Sequence, residues 1–439
     1  MLDPTADPLE LTDDLRKRLV GLLDGMGRDL VEREVPIRLA VLAALAGEHL
    51  LLVGPPGTAK SVVSRRLHLA FSEGTYFERL LTRFSVPEEI FGPLSIAELQ
   101  KDKYLRKTQG YLPEASVAFI DEIFKANSAI LNSLLTILNE REFDNGPERK
   151  KTPLICLVAA SNEISPDGEE SQVLEALFDR FLLRCSVPPV SDEGFDSLLA
   201  LRGEPTVAIP MGSRLTSDDL ERVRVGAAKV MLGPPVINLL KALRTFLAER
   251  QIPCSDRRWR KIVKLLQVAA FTEGRKEVDV LDGWIFRYTL WEGEKAEQAN
   301  EIDAWFFHHA FIEAHQKPER FTSMVGAWEV RILGSSPDAP PDGPDTEPSI
   351  KKTWKPLTGN ECRFLLKEIT STANAIENAE VSLAKAEEGL GDRGKGSVWM
   401  PTEAVHQAKA SIRKNRTILI GLVDRMQGLE LHLASVHVD

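Results

Sequence analysis

The chain has 439 residues, 43% of them hydrophobic and 27% charged, which fits a soluble globular protein of two or three domains. Its 55 lysines and arginines against 65 aspartates and glutamates give a net charge of −10, a balance that argues against a dedicated nucleic-acid binder. The four cysteines form no CxxC pair, so neither a disulfide framework nor a zinc site is expected. No apolar run approaches the roughly 20 residues of a membrane span, and the acidic start MLDPTADPLELTDDL lacks a secretory apolar region, so a cytoplasmic protein is expected.

Apolar residues at three- and four-residue steps predict helix from Leu9 to Leu50. A short apolar run, His49 to Val53, predicts a buried strand that meets a glycine turn at Gly54. Helical periodicity resumes from Ser61 to Leu69. Three further strands are expected: Ser116 to Ile120, ending at Asp121; Leu154 to Ala160, ending at Ser161-Asn162; and Phe181 to Val187, stopped by Pro188-Pro189. Helical stretches separate them, which predicts an α/β fold with a parallel sheet. Ligands in such sheets bind beyond the carboxyl ends of the strands, where Asp121, Glu122 and Asn162 fall.

After about Ser191 the pattern turns all-helical. Thr216 or Ser217 caps a helix through Val230, Gly233-Pro234-Pro235 opens another to Arg250, and Ser255-Asp256 caps a third to about Thr272. Asp279 to Trp291 continues in helical style, and a long helix is expected from Ala296 to Ile332, interrupted near Lys317-Pro318. A linker rich in Pro, Gly and acid follows Gly334. Two more helical segments, Gly359 to Leu390 and Thr402 to Ser435, are joined by the glycine-rich stretch Gly391 to Gly396; with the preceding helix they predict a three-helix bundle. The expected division is 1–195, 196–292 and 293–439, the last interrupted by the linker at about 334–348.

The chemistry concentrates in GPPGTAKS, Gly54 to Ser61. A phosphate loop needs backbone N–H groups converging at a helix N-terminus, a lysine for the β/γ charge and a hydroxyl for Mg²⁺. Gly54 and Gly57 supply the tight backbone, Pro55-Pro56 stiffen it, Thr58 and Ala59 complete it, Lys60 is the cation and Ser61 the hydroxyl. The consensus places glycine where Ala59 stands; a small residue beginning the helix suffices there. In SVAFIDEIFKAN, Asp121 suits the Mg²⁺ shell and Glu122 the attacking water. Asn162, at the next strand end, suits an amide that meets both the γ-phosphate and that water, or else a turn asparagine.

The set GPPGTAKS, VAFIDEI, NSLLTILNERE, AASNE, ALFDRF and SDRRW resembles AAA+ ATPases of the MoxR family, most of all the RavA branch, over roughly residues 9 to 290. The resemblance implies an AAA+ αβα parallel-sheet core, an all-α lid and a C-terminal helical bundle. It also implies ATP and Mg²⁺ as ligands, homo-oligomeric rings, usually hexamers, and a partner with a von Willebrand A domain. In such rings a neighbour's arginine reaches the γ-phosphate. Arg180 is the candidate and Arg184 the runner-up, the alternative being a surface ion pair of Arg180 with Asp179 or Glu175. A second arginine is expected from the lid of the same subunit, Arg257, with Arg258 one residue away.

Two insertions resemble pore-facing parts: Phe84 to Ala115, with Tyr104 among cations, the alternative being a solvated charged hairpin, and Arg141 to Lys151, with a hairpin signal at Asn145-Gly146. In RavA-like proteins a β-rich domain that binds a lysine decarboxylase interrupts the helical bundle. Here only the short linker stands in its place, so that interaction is not carried over. The expected function is ATP hydrolysis coupled to remodelling, assembly or cofactor insertion in a protein client. A nucleotide-gated scaffold and a nucleic-acid motor are the alternatives.

Overall fold

The computed structural model describes residues 10–162, 171–203, 207, 209–291, 295–310, 317–333 and 359–435. The linker expected at about 334–348 and the interruption before Pro318 lie wholly or largely outside the described residues. The chain forms two compact units, Met1–Phe306 with Ser397–Pro401, and Phe307–Gly396 with Thr402–Asp439. The sheet core and the lid thus share one unit, and the boundary falls inside the helix Ala296–His309 rather than at 292.

The first unit is built on strands β1 (Leu50–Val53), β2 (Tyr76–Leu80), β3 (Val117–Asp121), β6 (Cys156–Ser161) and β7 (Leu183–Ser186), all parallel in the order β2-β3-β6-β1-β7. The central strands are apolar on both faces because helices cover both sides. β2 was not expected. It sits at the sheet edge and buries only Phe77 of its five residues, so Tyr76-Phe77-Glu78-Arg79-Leu80 carries no apolar run to read. Strands β4 (Glu142–Asn145) and β5 (Glu148–Lys151) form the expected hairpin.

The two insertions are joined rather than separate. Asn145 accepts from the Arg106 N–H at 2.7 Å and donates to its carbonyl at 3.1 Å, and Phe91 stacks on Phe143. Arg106 itself holds Glu88 and the Gly92 carbonyl, while Tyr104 is exposed.

The lid helices follow their caps. Thr216 and Asp219 form a capping box on Ser217–Ala227, Gly233 precedes Pro234–Glu249, and the Ser255 hydroxyl caps Asp256–Thr272. Val280–Tyr288 is a 3₁₀ helix rather than an α-helix.

Residues Ser397–Pro401 belong to this unit as a buried peg. The Trp399 indole N–H donates to Thr272 Oγ1 at 2.8 Å, Glu273 accepts from the Ser397 hydroxyl and the Val398 N–H, and Arg38 donates to the Val398 carbonyl. Trp399 is 1% exposed. Trp399→Ala removes this side chain and leaves a cavity, so it lowers the unfolding free energy by about 3–5 kcal/mol, read by chemical denaturation of the full chain.

In the second unit the helices Pro318–Leu333, Gly359–Gly396 and Thr402–Ser435 share an apolar core that includes Val325, Leu365, Ile376, Leu419 and Met426. Arg416 pairs with Glu380 and Glu387, Arg413 with Glu387, and Thr370 with Glu430, which fixes the two long helices as antiparallel. The stretch 391–396, expected as the joint, continues the helix, and the turn falls at Ser397–Pro401 instead. Asn415, on the helix Thr402–Ser435, is buried and donates its amide N–H to the Ser411 carbonyl.

Candidate nucleotide site

The sheet brings four sequence-predicted groups together at the ends of β1, β3 and β6. β1 ends at Val53 and the loop Gly54 to Ala59 follows, leading into the helix Lys60–Leu69. Gly54 is required by close approach: a Cβ there would stand 2.2 Å from the Val187 carbonyl oxygen. Gly57 takes φ +82°. The N–H groups of Gly57, Thr58 and Ala59 donate to no backbone carbonyl among the described residues. Free N–H groups at a helix start are what an anion needs.

Lys60 is buried, and its ammonium donates to the Gly54 carbonyl at 2.6 Å, the Pro55 carbonyl at 2.8 Å and Asn162 Oδ1 at 3.3 Å. Because lysine only donates, the amide oxygen of Asn162 must face it, which turns Nδ2 toward Glu122 Oε1, where it donates. Lys60, Asn162 and Glu122 therefore form one line of hydrogen bonds across the ends of three strands. Glu122 is 7% exposed and holds φ +54°, an unfavourable backbone for a residue with a Cβ that the surrounding contacts maintain. Its other oxygen lies 3.3 Å from Lys125, a partner that no sequence motif indicated.

Asp121 accepts the Glu122 N–H at 3.0 Å. Burial pushes its carboxyl above the usual aspartate range; that N–H and Lys60 oppose the rise, and the Glu122 charge adds to it. Burial likewise holds the Lys60 ammonium below its ordinary range, against the pull of Asp121 and Glu122. The shifted Asp121 carboxyl and Lys60 ammonium, with the Glu122 carboxylate and free N–H groups beside them, suit a divalent cation and a polyphosphate together. Ser61, half-buried in the first turn of the helix, completes the oxygen set.

The arginines stand elsewhere. Arg184 is consumed internally: it donates to the Phe178, Phe181 and Trp291 carbonyls and lies 3.8 Å over the Phe178 ring. Arg258 is buried on Asp179 and on the carbonyls of Phe181, Leu182 and Thr289. Arg257 is exposed and Arg180 half-buried. Arg257 donates to Asn139 Oδ1 at 2.7 Å, while Arg180 keeps a 3.4 Å contact to Asp179, whose other oxygen is held by Arg258. Burial first, and then the like charge of Arg257, holds the Arg180 guanidinium below its ordinary range.

The contacts around both arginines place them along the sheet. His49, which precedes β1, contacts the Leu138 carbonyl, and Lys261 pairs with Glu48. Asn139 and the helix of Arg257 thus lie where β1 begins. Arg180 precedes β7, whose first residue pairs with Leu50. The phosphate loop lies where β1 ends, a strand length of roughly 13 Å away. The partners that these two arginines touch, Asn139 and Asp179, thus lie toward the start of β1 rather than at its loop end.

Among the described residues no helix is long and apolar enough to cross a membrane. Residues 17–216 match the family model described as the MoxR domain in MoxR-vWA-beta-propeller ternary systems, and residues 235–306 match an AAA lid domain. An uncharacterized protein of Methanocaldococcus jannaschii is 38% identical over 283 residues, 64% of this chain and 71% of that one. A second from the same organism is 41% identical over 265 residues, 60% and 68% of the two chains. A Cytophaga hutchinsonii protein whose crystal structure carries a provisional ATPase assignment shares the fold, with TM-score 0.53 at 18% identity, over 68% of this chain and 96% of that one. With a loop, two carboxylates and an asparagine aligned at the strand ends and relatives of this similarity, the chain belongs to the MoxR family of AAA+ ATPases.

Proposed function

We propose that the protein hydrolyses ATP with Mg²⁺ at sites shared between neighbouring copies. What supports this reading is that the partners of Arg180 and Arg257 lie where β1 begins, whereas the phosphate loop lies where β1 ends. Arginines toward one end of the strands and a loop at the other suit a head-to-tail contact, which closes into a ring when the rotation allows. Six copies is the number the family resemblance suggests.

Each residue then has one task. The loop N–H groups of Gly57 to Ala59 and the Lys60 ammonium hold the β- and γ-phosphates. Ser61 and Asp121 would hold Mg²⁺, which would supply positive charge for the phosphate oxygens. Asn162 orients the water, and Glu122 accepts its proton. The neighbour's Arg180 stabilises the charge spread over the γ-phosphoryl group, and the neighbour's Arg257 adds a second cation.

The work performed is remodelling, assembly or cofactor insertion of a protein client in the cytoplasm. A partner with a von Willebrand A domain is the reading supported by the description of the matching family model. Within the MoxR family the motif set favours the RavA branch. Specific ATPase activity should rise with protein concentration as large oligomers appear by mass measurement. Activity that is constant per chain in a monomer would overturn shared sites.

A further inference from the structure

Arg33 lies outside every motif read from the sequence, yet it is 4% exposed and touches the phosphate loop. Its Nε–H donates to the Thr58 carbonyl at 2.9 Å, one terminal nitrogen to the Pro188 carbonyl at 2.8 Å, and the other to the Glu32 carbonyl at 2.8 Å. Glu32 in turn accepts from the N–H and hydroxyl of Ser191, the cap of the helix Asp192–Ala200. A planar guanidinium thus fixes the loop against the chain leaving β7.

The loop needs such a restraint at one place. Ala59 has φ 66° and ψ 22°, the left-handed conformation that glycine adopts freely and a residue with a Cβ does not. Thr58 C=O and Ala59 N–H belong to one trans peptide and point in opposite directions. Holding the carbonyl toward Arg33 therefore turns the Ala59 N–H to the other side of the loop. A carbonyl that accepts from a cation also makes the N–H of its own peptide a stronger donor.

We propose that Arg33 is a positioning residue for the phosphate loop: it holds the Thr58–Ala59 peptide so that the Ala59 N–H faces a bound phosphate, and so supports alanine where the loop consensus has glycine. The inference rests on the phosphate-site reading above.

The test is a double-mutant cycle on the full chain, with wild type, Arg33→Met, Ala59→Gly and the double variant, titrated with a fluorescent ADP analogue and Mg²⁺. Arg33→Met should weaken binding about tenfold, the size of one lost hydrogen bond to a charged group. Adding Ala59→Gly should recover at least about threefold of that loss, and more than it gains in the wild type, because glycine adopts the left-handed conformation unaided. A general packing defect would not be rescued by that change. A double variant that binds no better than Arg33→Met overturns the proposal.

Melting without nucleotide gives a second reading. Ala59→Gly should raise the melting temperature of the wild type, whose loop is held in the unfavourable form, more than that of Arg33→Met, whose loop has relaxed. Equal gains in both backgrounds overturn the restraint. Wild type that fails to bind the analogue refutes the phosphate site, and the melting pair then decides the restraint alone. The same cycle on Arg33→Lys, which keeps the charge and loses the fork, gives the same pattern.

Discussion

Glu122→Gln lowers ATP turnover by about 10²–10⁴-fold, the range of a lost general base. Nucleotide binding survives, because Lys60 and the N–H groups of the loop are untouched. The substitution keeps an oxygen for the Asn162 amide to donate to, so the line from Lys60 through Asn162 stays in place. What is lost is the second carboxylate oxygen and its 3.3 Å contact with Lys125, whose own side chain is largely exposed. Phosphate release and binding of a fluorescent analogue, measured on the same preparation, separate the two effects. Turnover within about threefold of wild type would place the proton acceptor elsewhere.

Arg180→Ala has an effect of similar or greater size, about 10³–10⁵-fold on turnover, as for an arginine supplied to a neighbour's phosphoryl group. Its own loop remains intact, so each variant chain still binds nucleotide. Among the described residues Arg180 keeps one long ion pair, at 3.4 Å to Asp179. Arg180→Lys restores little, because an ammonium lacks the planar fork that meets two phosphate oxygens. The variant should still assemble, as shown by mass measurement. Full activity in Arg180→Ala would refute the trans arginine.

The site was legible in the sequence to the extent that its chemistry is local. Gly54 to Ser61, Asp121-Glu122 and Asn162 each follow a short apolar run directly, and a parallel sheet places the ends of such runs together. The sequence reading misses β2 because an edge strand with one buried residue has no apolar signature. It leaves Arg257 and Arg258 open because adjacent residues on a helix differ only in what they pack against. The structure separates them by burying Arg258 on Asp179 and three carbonyls and leaving Arg257 exposed. Three glycines between Gly391 and Gly396 suggest a joint, yet the turn is set by the burial of Trp399. Arg33 has no pattern to find, since its partners are backbone carbonyls at Thr58 and Pro188.

The shared-site account is tested most directly by mixing Glu122→Gln with Arg180→Ala. Each variant alone is nearly inactive, but a Glu122 from one chain and an Arg180 from the other complete a site at some contacts. Random co-assembly into a head-to-tail ring predicts recovery to about a quarter of wild-type turnover. If co-assembly is confirmed by mass and the mixture stays as inactive as its components, the site is not shared between copies, and the central claim is wrong.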